Sequence, residues 1–238
     1  MDTTFALAII GAYLLGSIPF GLLIAKAHGK DLRSIGSGNI GATNVSRALG
    51  RKWAYICFSL DMLKGLAPML VTMFLVRNAT SAQAHPQKVV LLWLWLAVGC
   101  AAILGHIFPV YLKFKGGKGV ATSFGVALGL WPYYTVCAAA AVAVWGAVAL
   151  IWRYVSLASI TASIAFPVVL ALVTALTPSW KFAELWPLFV GATAIPVMVI
   201  VRHWENIKRL PAGTEGKILK SKPKTPAEHQ KGAIRVCR

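Results

Sequence analysis

Residues 89–112 read VVLLWLWLAVGCAAILGHIFPVYL and continue directly into residues 113–122, KFKGGKGVAT. The first stretch contains no Asp, Glu, Lys or Arg, and it exceeds the roughly 20 apolar residues that a helix needs to cross a bilayer. The second stretch places lysines and glycines where the apolar run ends. We therefore predict a transmembrane helix that leads into a polar site.

The whole chain has the composition of a membrane protein. Of its 238 residues, 58% are hydrophobic and 13% are charged, which would leave a soluble domain too little polar surface to cover itself. The formal net charge is +17, but the basic residues cluster between apolar stretches, as cytoplasmic loops do. This placement indicates an all-α integral membrane protein and argues against a nucleic-acid partner.

Further apolar stretches lie on both sides of the first one, at 5–25, 53–76, 120–151, 155–176 and 185–201. Residues 120–151 hold roughly two spans, although the part before Pro132 is short for a full crossing. We predict about seven transmembrane helices in one polytopic domain, 1–217. A basic, disordered cytoplasmic tail, 218–238, is expected to follow it.

The distribution of Lys and Arg selects an orientation. If 26–52, 105–119, 153 and 202–238 face the cytoplasm, 20 of the 24 Lys and Arg residues lie inside, as the positive-inside rule requires. The N-terminus is then outside and the C-terminus cytoplasmic. Three segments rich in glycine and cations fall on the same face.

The first of these segments is GSGNIGATNVSR, residues 36–47. Its glycines, hydroxyls and amides predict a poor helix and a good anion nest. Arg47 adds a planar guanidinium group, whose N–H donors are suited to phosphate oxygens. A tight turn would explain one or two of the glycines but not the whole set, so the segment favours ligand binding.

The second segment is GHIFPVYLKFKGGKGVAT, residues 105–122, with a helix expected to start near Val120. A helix start preceded by glycines and lysine is suited to phosphate capture, although the Walker A string is absent. Lysines beside a membrane span can also anchor its end by extending their side chains to the membrane surface. This role is enough to explain Lys113. The position of Lys118 between two glycines favours a role in phosphate binding.

The third segment is RHWENIKRLPAGTE, residues 202–215. Arg202, Asn206 and Arg209 have the i, i+4, i+7 spacing of one helix face. Basic residues after a last span also serve topology, but topology requires neither His203 nor Asn206. The segment therefore adds to the predicted site.

Two charged residues fall inside the second span. Asp61 and Lys64 would share a helix face and neutralise each other, because isolated charges at that depth are costly. Two roles stay open for this pair: a purely structural one and support of the site.

His106 is a candidate general base or a hydrogen-bonded structural residue. The scattered acidic residues and the lack of a CxxC pair predict no metal site and no cofactor.

Together, GSGNIGATN with Arg47, GHIFPVYLKFKGGKGVAT and RHWENIKRLPAGTE resemble the three signature motifs of the bacterial membrane-integral acyl-phosphate:glycerol-3-phosphate acyltransferases. The resemblance covers roughly residues 5–217. It implies a seven-helix enzyme of the bacterial cytoplasmic (inner) membrane, with its active site on the cytoplasmic side. Such an enzyme transfers an acyl chain from acyl phosphate to the 1-hydroxyl of sn-glycerol 3-phosphate, giving lysophosphatidic acid for phospholipid synthesis.

The resemblance also implies residue roles. It assigns catalysis, by binding glycerol phosphate and the reacting phosphate, to Ser37, Arg47, Lys118, His203 and Asn206. It assigns substrate contacts to Gly38, Asn39, Thr43, Asn44, Lys115, Gly117, Ser156 and Arg209, with Thr43 and Asn44 on the acyl-phosphate side. Candidate supporting residues are Asp61, Lys64, His106 and Glu215.

The group that accepts the hydroxyl proton is a separate question. His106 lacks an acid at the HxxxxD spacing of another acyltransferase class, because Tyr111 stands there. A substrate phosphate oxygen, with a second pKa of about 6, is our preferred base.

A membrane transporter for an organophosphate anion is the alternative function. It too would need glycines, broken helices and cations near the membrane. However, transport usually comes with an internal repeat, which we do not find, and with a site reachable from both faces. The crowding of cations on one face favours an enzyme.

The orientation can be tested with reporter fusions. Reporters placed after Arg51, Lys118 and Arg209 are expected to lie in the cytoplasm, and one placed between Arg77 and Lys88 on the opposite side, because of the charge asymmetry. A reporter that puts one of the three segments on the far side from the others would contradict a single shared site.

Overall fold

The computed structural model describes residues 2–81 and 88–218. These residues form helices α1 (Asp2–Gly16), α2 (Phe20–Ala27), α3 (Ala42–Leu49), α4 (Arg51–Ser81), α5 (Lys88–Ile107), α6 (Val120–Gly129), α7 (Thr135–Trp152), α8 (Val155–Leu176), α9 (Phe182–Arg202) and α10 (Trp204–Arg209). The described part of the chain contains no strand. The predicted all-α membrane fold is confirmed.

Six stretches are long and apolar enough to cross a membrane: Thr3–Ala27, Arg51–Arg77, Lys88–Leu112, Thr135–Trp152, Val155–Leu176 and Phe182–Arg202. The predicted boundaries of the span at 155–176 coincide with α8. Helix α6 has only 10 residues, or about 15 Å at the rise of an α-helix. The count of seven crossings and the orientation stay predictions. Of the predicted tail, only Ile218 lies within the described residues.

The first span is not the continuous helix that its hydropathy predicts. It is broken between Gly16 and Phe20, where Pro19 lacks an N–H and disfavours helical geometry in the residue before it. A break inside a bilayer leaves carbonyls that need donors. Lys64 of α4 supplies one, because its Nζ lies 2.8 Å from the carbonyl oxygen of Ile18.

Helix α6 packs directly against α4. A Cβ atom added at Gly125 would lie 2.0 Å from the carbonyl oxygen of Met62, and one added at Gly65 would lie 2.3 Å from that of Thr122. Only glycine fits at such backbone contacts, as is common where helices approach closely in membranes. The contact fixes the start of α6 beside the charged pair of α4.

Two local expectations were wrong. Residues 42–47 of the first segment are helical, in α3, so only the glycine-bearing part before Ala42 forms the expected irregular loop. The third segment is not one helix, because α9 ends at Arg202 and α10 begins at Trp204. His203, whose N–H donates to the carbonyl of Ile200 in a tightened turn, separates them.

Candidate active site

A chain of hydrogen bonds joins the second and third segments around one carboxylate. Lys118 Nζ donates to Asn206 Oδ1, and Asn206 Nδ2 donates to Glu215 Oε1 at 2.6 Å. The hydroxyl of Ser156, at the start of α8, donates to the same oxygen at 2.8 Å. Arg209 Nε donates to the other oxygen at 2.9 Å. The structure thus brings together five residues from three separate parts of the chain.

The first segment reaches this cluster through Arg47. A Cβ atom added at Gly216, next to Glu215, would lie 2.7 Å from Arg47 Nη2. Thr43 lies one turn before Arg47 on α3, at a spacing that places both on one face. All three segments therefore meet at one place, as the sequence predicted.

Asn44 folds the glycine loop of the first segment. It is buried, its Nδ2 donates to the carbonyls of Leu32 and Ile35 at 2.9 Å each, and its Oδ1 accepts from the N–H of Ser37 at 3.1 Å. Gly36 has a φ of +57°, and a Cβ there would lie 2.5 Å from Asn44 Oδ1. These contacts engage the Asn44 amide in shaping the loop, a role the sequence did not indicate.

The glycine loop of the second segment folds back onto the end of α5. The N–H of Gly117 donates to the carbonyl of His106 at 3.1 Å, and a Cβ at Gly117 would lie 2.2 Å from His106 Nε2. The carbonyl of Gly117 accepts from Arg202 Nη2 at 3.2 Å. Gly119, with a φ of +83°, then starts α6, so the predicted helix start at Val120 is confirmed.

Beneath this loop lies the charged pair of α4. Lys64 Nζ is 2.8 Å from Asp61 Oδ1, and the two side chains are 2% and 4% exposed. His106 Nδ1 is 3.6 Å from the same oxygen, and Thr122 Oγ1 donates to the backbone carbonyl of Asp61 at 3.0 Å. The predicted pairing is confirmed. The ion pair is also connected to the site, because His106 contacts both Asp61 and the glycine loop of the second segment.

The cations of the cluster influence each other. Burial lowers the pKa of Lys118 to about 8; Glu215 opposes this shift, whereas Arg209, Arg47 and Arg202 favour it. Burial acts to raise the pKa of Glu215, but hydrogen bonds led by that of Arg209 outweigh it, and the net shift is downward. Near neutral pH the carboxylate is charged, and part of the Lys118 population is neutral.

His203 is held neutral in one tautomer. Burial first, and then the charge of Lys118, lower its pKa to about 4. Its Nδ1 lies 2.8 Å from the carbonyl oxygen of Val199. A carbonyl only accepts, so Nδ1 carries the proton and Nε2 is left as an acceptor.

Some predicted site residues lie outside the hydrogen-bonded cluster. The side chain of Lys115 is exposed, and its carbonyl accepts from Arg33 Nη2 at 2.8 Å. Asn39 Oδ1 accepts from the N–H of Gly41 at 2.9 Å, so this amide also shapes the loop. Gly38 has a φ of +67°, which favours glycine. Sequence reasoning missed Arg33, which no local pattern distinguishes from other loop cations.

An apolar cavity of about 370 Å³ lies between α6, α7, α8 and α9. One end is lined by Ser123, Ser159 and Val199, and the other end by Tyr134 and Phe166, whose rings meet edge to face at 5.1 Å. Ser159 and Val199 lie about one helical turn from Ser156 and His203, and Ser123 lies five residues after Lys118. The cavity therefore extends from the site into the membrane-spanning part of the protein.

Comparison with known proteins identifies the family. The family model for glycerol-3-phosphate acyltransferase matches residues 6–213. The chain is 47% identical to the glycerol-3-phosphate acyltransferase of Geotalea daltonii over 207 residues, which cover 87% of this chain and 94% of the relative. It is 46% identical to that of Geobacter sulfurreducens over 208 residues, with 87% and 93% covered.

Two solved structures are similar over nearly the whole chain. Both are crystal structures of PlsY, an integral membrane glycerol 3-phosphate acyltransferase. The glycerol 3-phosphate form has a TM-score of 0.74 and 41% identity, covering 91% of this chain and 96% of PlsY. The lysophosphatidic acid form has a TM-score of 0.72 and 40% identity, covering 90% and 95%. Sequence and fold agree, and the chain belongs to the glycerol-3-phosphate acyltransferase family.

Proposed function

We propose that this protein transfers an acyl chain from acyl phosphate to the 1-hydroxyl of sn-glycerol 3-phosphate, giving lysophosphatidic acid and phosphate as the first step of phospholipid synthesis. The observation that carries the proposal is a cluster of cations from three segments at the end of an apolar cavity. The cluster suits two phosphates, and the cavity suits an acyl chain. The crystal forms of PlsY with glycerol 3-phosphate and with lysophosphatidic acid support the acceptor and the product.

The reaction needs positioning more than covalent activation. Acyl phosphate is a mixed anhydride, and its leaving group is a stable anion. The acceptor oxygen attacks the carbonyl carbon, the bond from that carbon to the phosphate oxygen breaks, and phosphate departs with the electron pair. Lys118, Arg47 and Arg209 hold the two phosphates near each other, while Ser37 and Asn206 orient them.

The hydroxyl proton passes to a phosphate oxygen. His203 Nε2 is placed as an acceptor, but the pKa of His203 is about 4, whereas the second pKa of a phosphate is about 6. The phosphate is the stronger base by about 100-fold. His203 is therefore not the base, and its Nε2 accepts a hydrogen bond from the second, non-reacting hydroxyl of glycerol 3-phosphate. His106, held between Asp61 and Gly117, positions the loop.

The acyl chain lies in the cavity between α6 and α9. Val199 and Gly191 line it eight residues apart on α9, which is about 12 Å along the helix. Val142, on the lining of the cavity, is 51% exposed, so the groove is open toward lipid. We assign the protein to the bacterial cytoplasmic membrane, with this site on the cytoplasmic side, because the positive-inside rule places all three segments there.

The role of Lys118 can be separated from that of a nearby lysine. Lys118→Met is expected to lower kcat/KM by about 10- to 150-fold, since a hydrogen bond to a charged group is worth about 1.5–3 kcal/mol. Lys113→Met is the matched control, because Lys113 is exposed in the same segment, and it should retain activity within about twofold. Thermal stability in detergent verifies folding. Equal losses in the two variants would contradict a binding role for Lys118.

The activity is expected to depend on the charge of Lys118. Because the pKa of Lys118 is lowered to about 8, the free enzyme loses this charge as the pH rises through that value. We expect kcat/KM for glycerol 3-phosphate to fall about tenfold per pH unit above about pH 8. The Lys113→Met variant should show the same fall in kcat/KM with rising pH as the wild type. A flat profile up to about pH 9.5 would contradict the prediction that the activity needs a charged Lys118 whose pKa is lowered to about 8.

The donor assignment is tested with purified protein in detergent. Acyl phosphate and glycerol 3-phosphate are expected to give lysophosphatidic acid, detected by mass spectrometry, whereas acyl-CoA and acyl carrier protein should not substitute. A thioester has a poorer leaving group and calls for a dedicated base such as an HxxxxD pair, which this sequence lacks. A chelator should leave the rate unchanged. Turnover of acyl-CoA at a comparable rate would refute the donor assignment.

A further inference from the structure

Ser123 of α6 has a buried hydroxyl without a hydrogen-bond partner among the described residues. Other hydroxyls nearby are paired: Thr122 Oγ1 donates to the carbonyl of Asp61, Ser159 Oγ to that of Val155 and Ser163 Oγ to that of Ser159. Burying a hydroxyl without a partner is unfavourable by about 1–3 kcal/mol. Such a group is therefore a candidate for pairing with a ligand.

The position of Ser123 indicates which ligand. Its N–H donates to the carbonyl of Gly119 at 2.7 Å, so it lies one turn into α6, just after Lys118. It lines the cavity at the end shared with Ser159 and Val199. Those two residues lie one turn from Ser156 and His203 of the site. The Ser123 hydroxyl therefore lies at the boundary between the cation cluster and the apolar cavity.

Only one group of an acyl phosphate belongs at that boundary. The phosphate occupies the cation cluster and the alkyl chain the cavity, so the carbonyl group lies between them. We propose that Ser123 Oγ donates a hydrogen bond to the carbonyl oxygen of the acyl phosphate. This inference rests on the proposed function.

The hydrogen bond acts on the transition state. When the acceptor hydroxyl attacks, the carbonyl electron pair moves onto the oxygen, which becomes negatively charged beside Ser123 Oγ. The pair returns when the bond to the phosphate oxygen breaks, and Ser123 keeps its proton throughout. The N-terminus of α6, with its positive end near the same oxygen, adds to the stabilisation. Ser123 is thus a catalytic residue without covalent chemistry.

The test compares variants of the full-length protein in detergent. Ser123→Ala should lower kcat with acyl phosphate by about 100-fold, the loss typical of one oxyanion donor, with KM for glycerol 3-phosphate unchanged within about twofold. Ser123→Cys keeps the approximate size but donates weakly, so it should show a smaller loss. If Ser123→Ala fails to fold, Ser123→Cys alone decides, and wild-type kcat in that variant would overturn the proposal.

Thr174→Val is the matched control. Thr174 also has a buried hydroxyl without a partner among the described residues, but it lies 18 residues along α8 from Ser156, which is about 27 Å. Its kcat should equal that of the wild type. Equal losses in Thr174→Val and Ser123→Ala, or no loss in Ser123→Ala, would overturn the proposal.

A spectroscopic measurement distinguishes a hydrogen bond from a structural effect. An acyl phosphonate with a ¹³C carbonyl, which resists transfer, is bound to each variant, and its carbonyl stretch is recorded by infrared difference spectroscopy. The stretch should lie lower in the wild type and in Thr174→Val than in Ser123→Ala. An identical frequency in all three, or an acyl adduct on Ser123 detected by mass spectrometry during turnover, would contradict the assignment. If the wild type does not use acyl phosphate, the proposed function fails instead.

Discussion

The buried ion pair between Lys64 and Asp61 is the constraint on which the rest of the structure depends. Two charges inside a membrane protein are tolerated only when they are paired and their remaining hydrogen-bonding groups are satisfied. Lys64 meets this condition by also binding the carbonyl of Ile18 at the break in the first span. The carboxylate faces His106, and the backbone carbonyl of Asp61 accepts from Thr122. Four separate parts of the chain are thereby held around one point.

This arrangement connects the membrane core to the site. His106 lies against Asp61 on one side and Gly117 on the other, so the ion pair supports the loop that presents Lys118. The close packing of Gly65 and Gly125 fixes α6 in the same place. The proposed phosphate site requires a rigid support, because catalysis by positioning loses its effect when the cations can move.

Among the described residues, one carboxylate, that of Glu215, is hydrogen-bonded within the cation cluster. Glu215 accepts from Asn206, Ser156 and Arg209, while Lys118 and Arg47 contribute further positive charge. The cluster thus retains an excess of positive charge, which suits the two phosphate-bearing substrates of the proposed reaction. The cavity begins where this polar cluster ends. A molecule with a phosphate at one end and an alkyl chain at the other fits that change of environment.

The sequence by itself determined the features that depend on neighbouring residues: the apolar spans, the three polar segments, the helix start at Val120 and the pairing of Asp61 with Lys64. The tertiary structure alone decided which proline breaks a helix, since Pro68 lies inside α4 whereas Pro19 lies in the break between α1 and α2. At that break, Lys64 binds the carbonyl of Ile18, 46 residues away along the chain. The tertiary structure also decided that Asn44 shapes a loop and that Lys118 binds Asn206, 88 residues away. Local patterns specify helices and turns through short-range sterics and hydropathy. Contacts across such separations arise only when the packed helices bring buried polar groups together and each must find a partner.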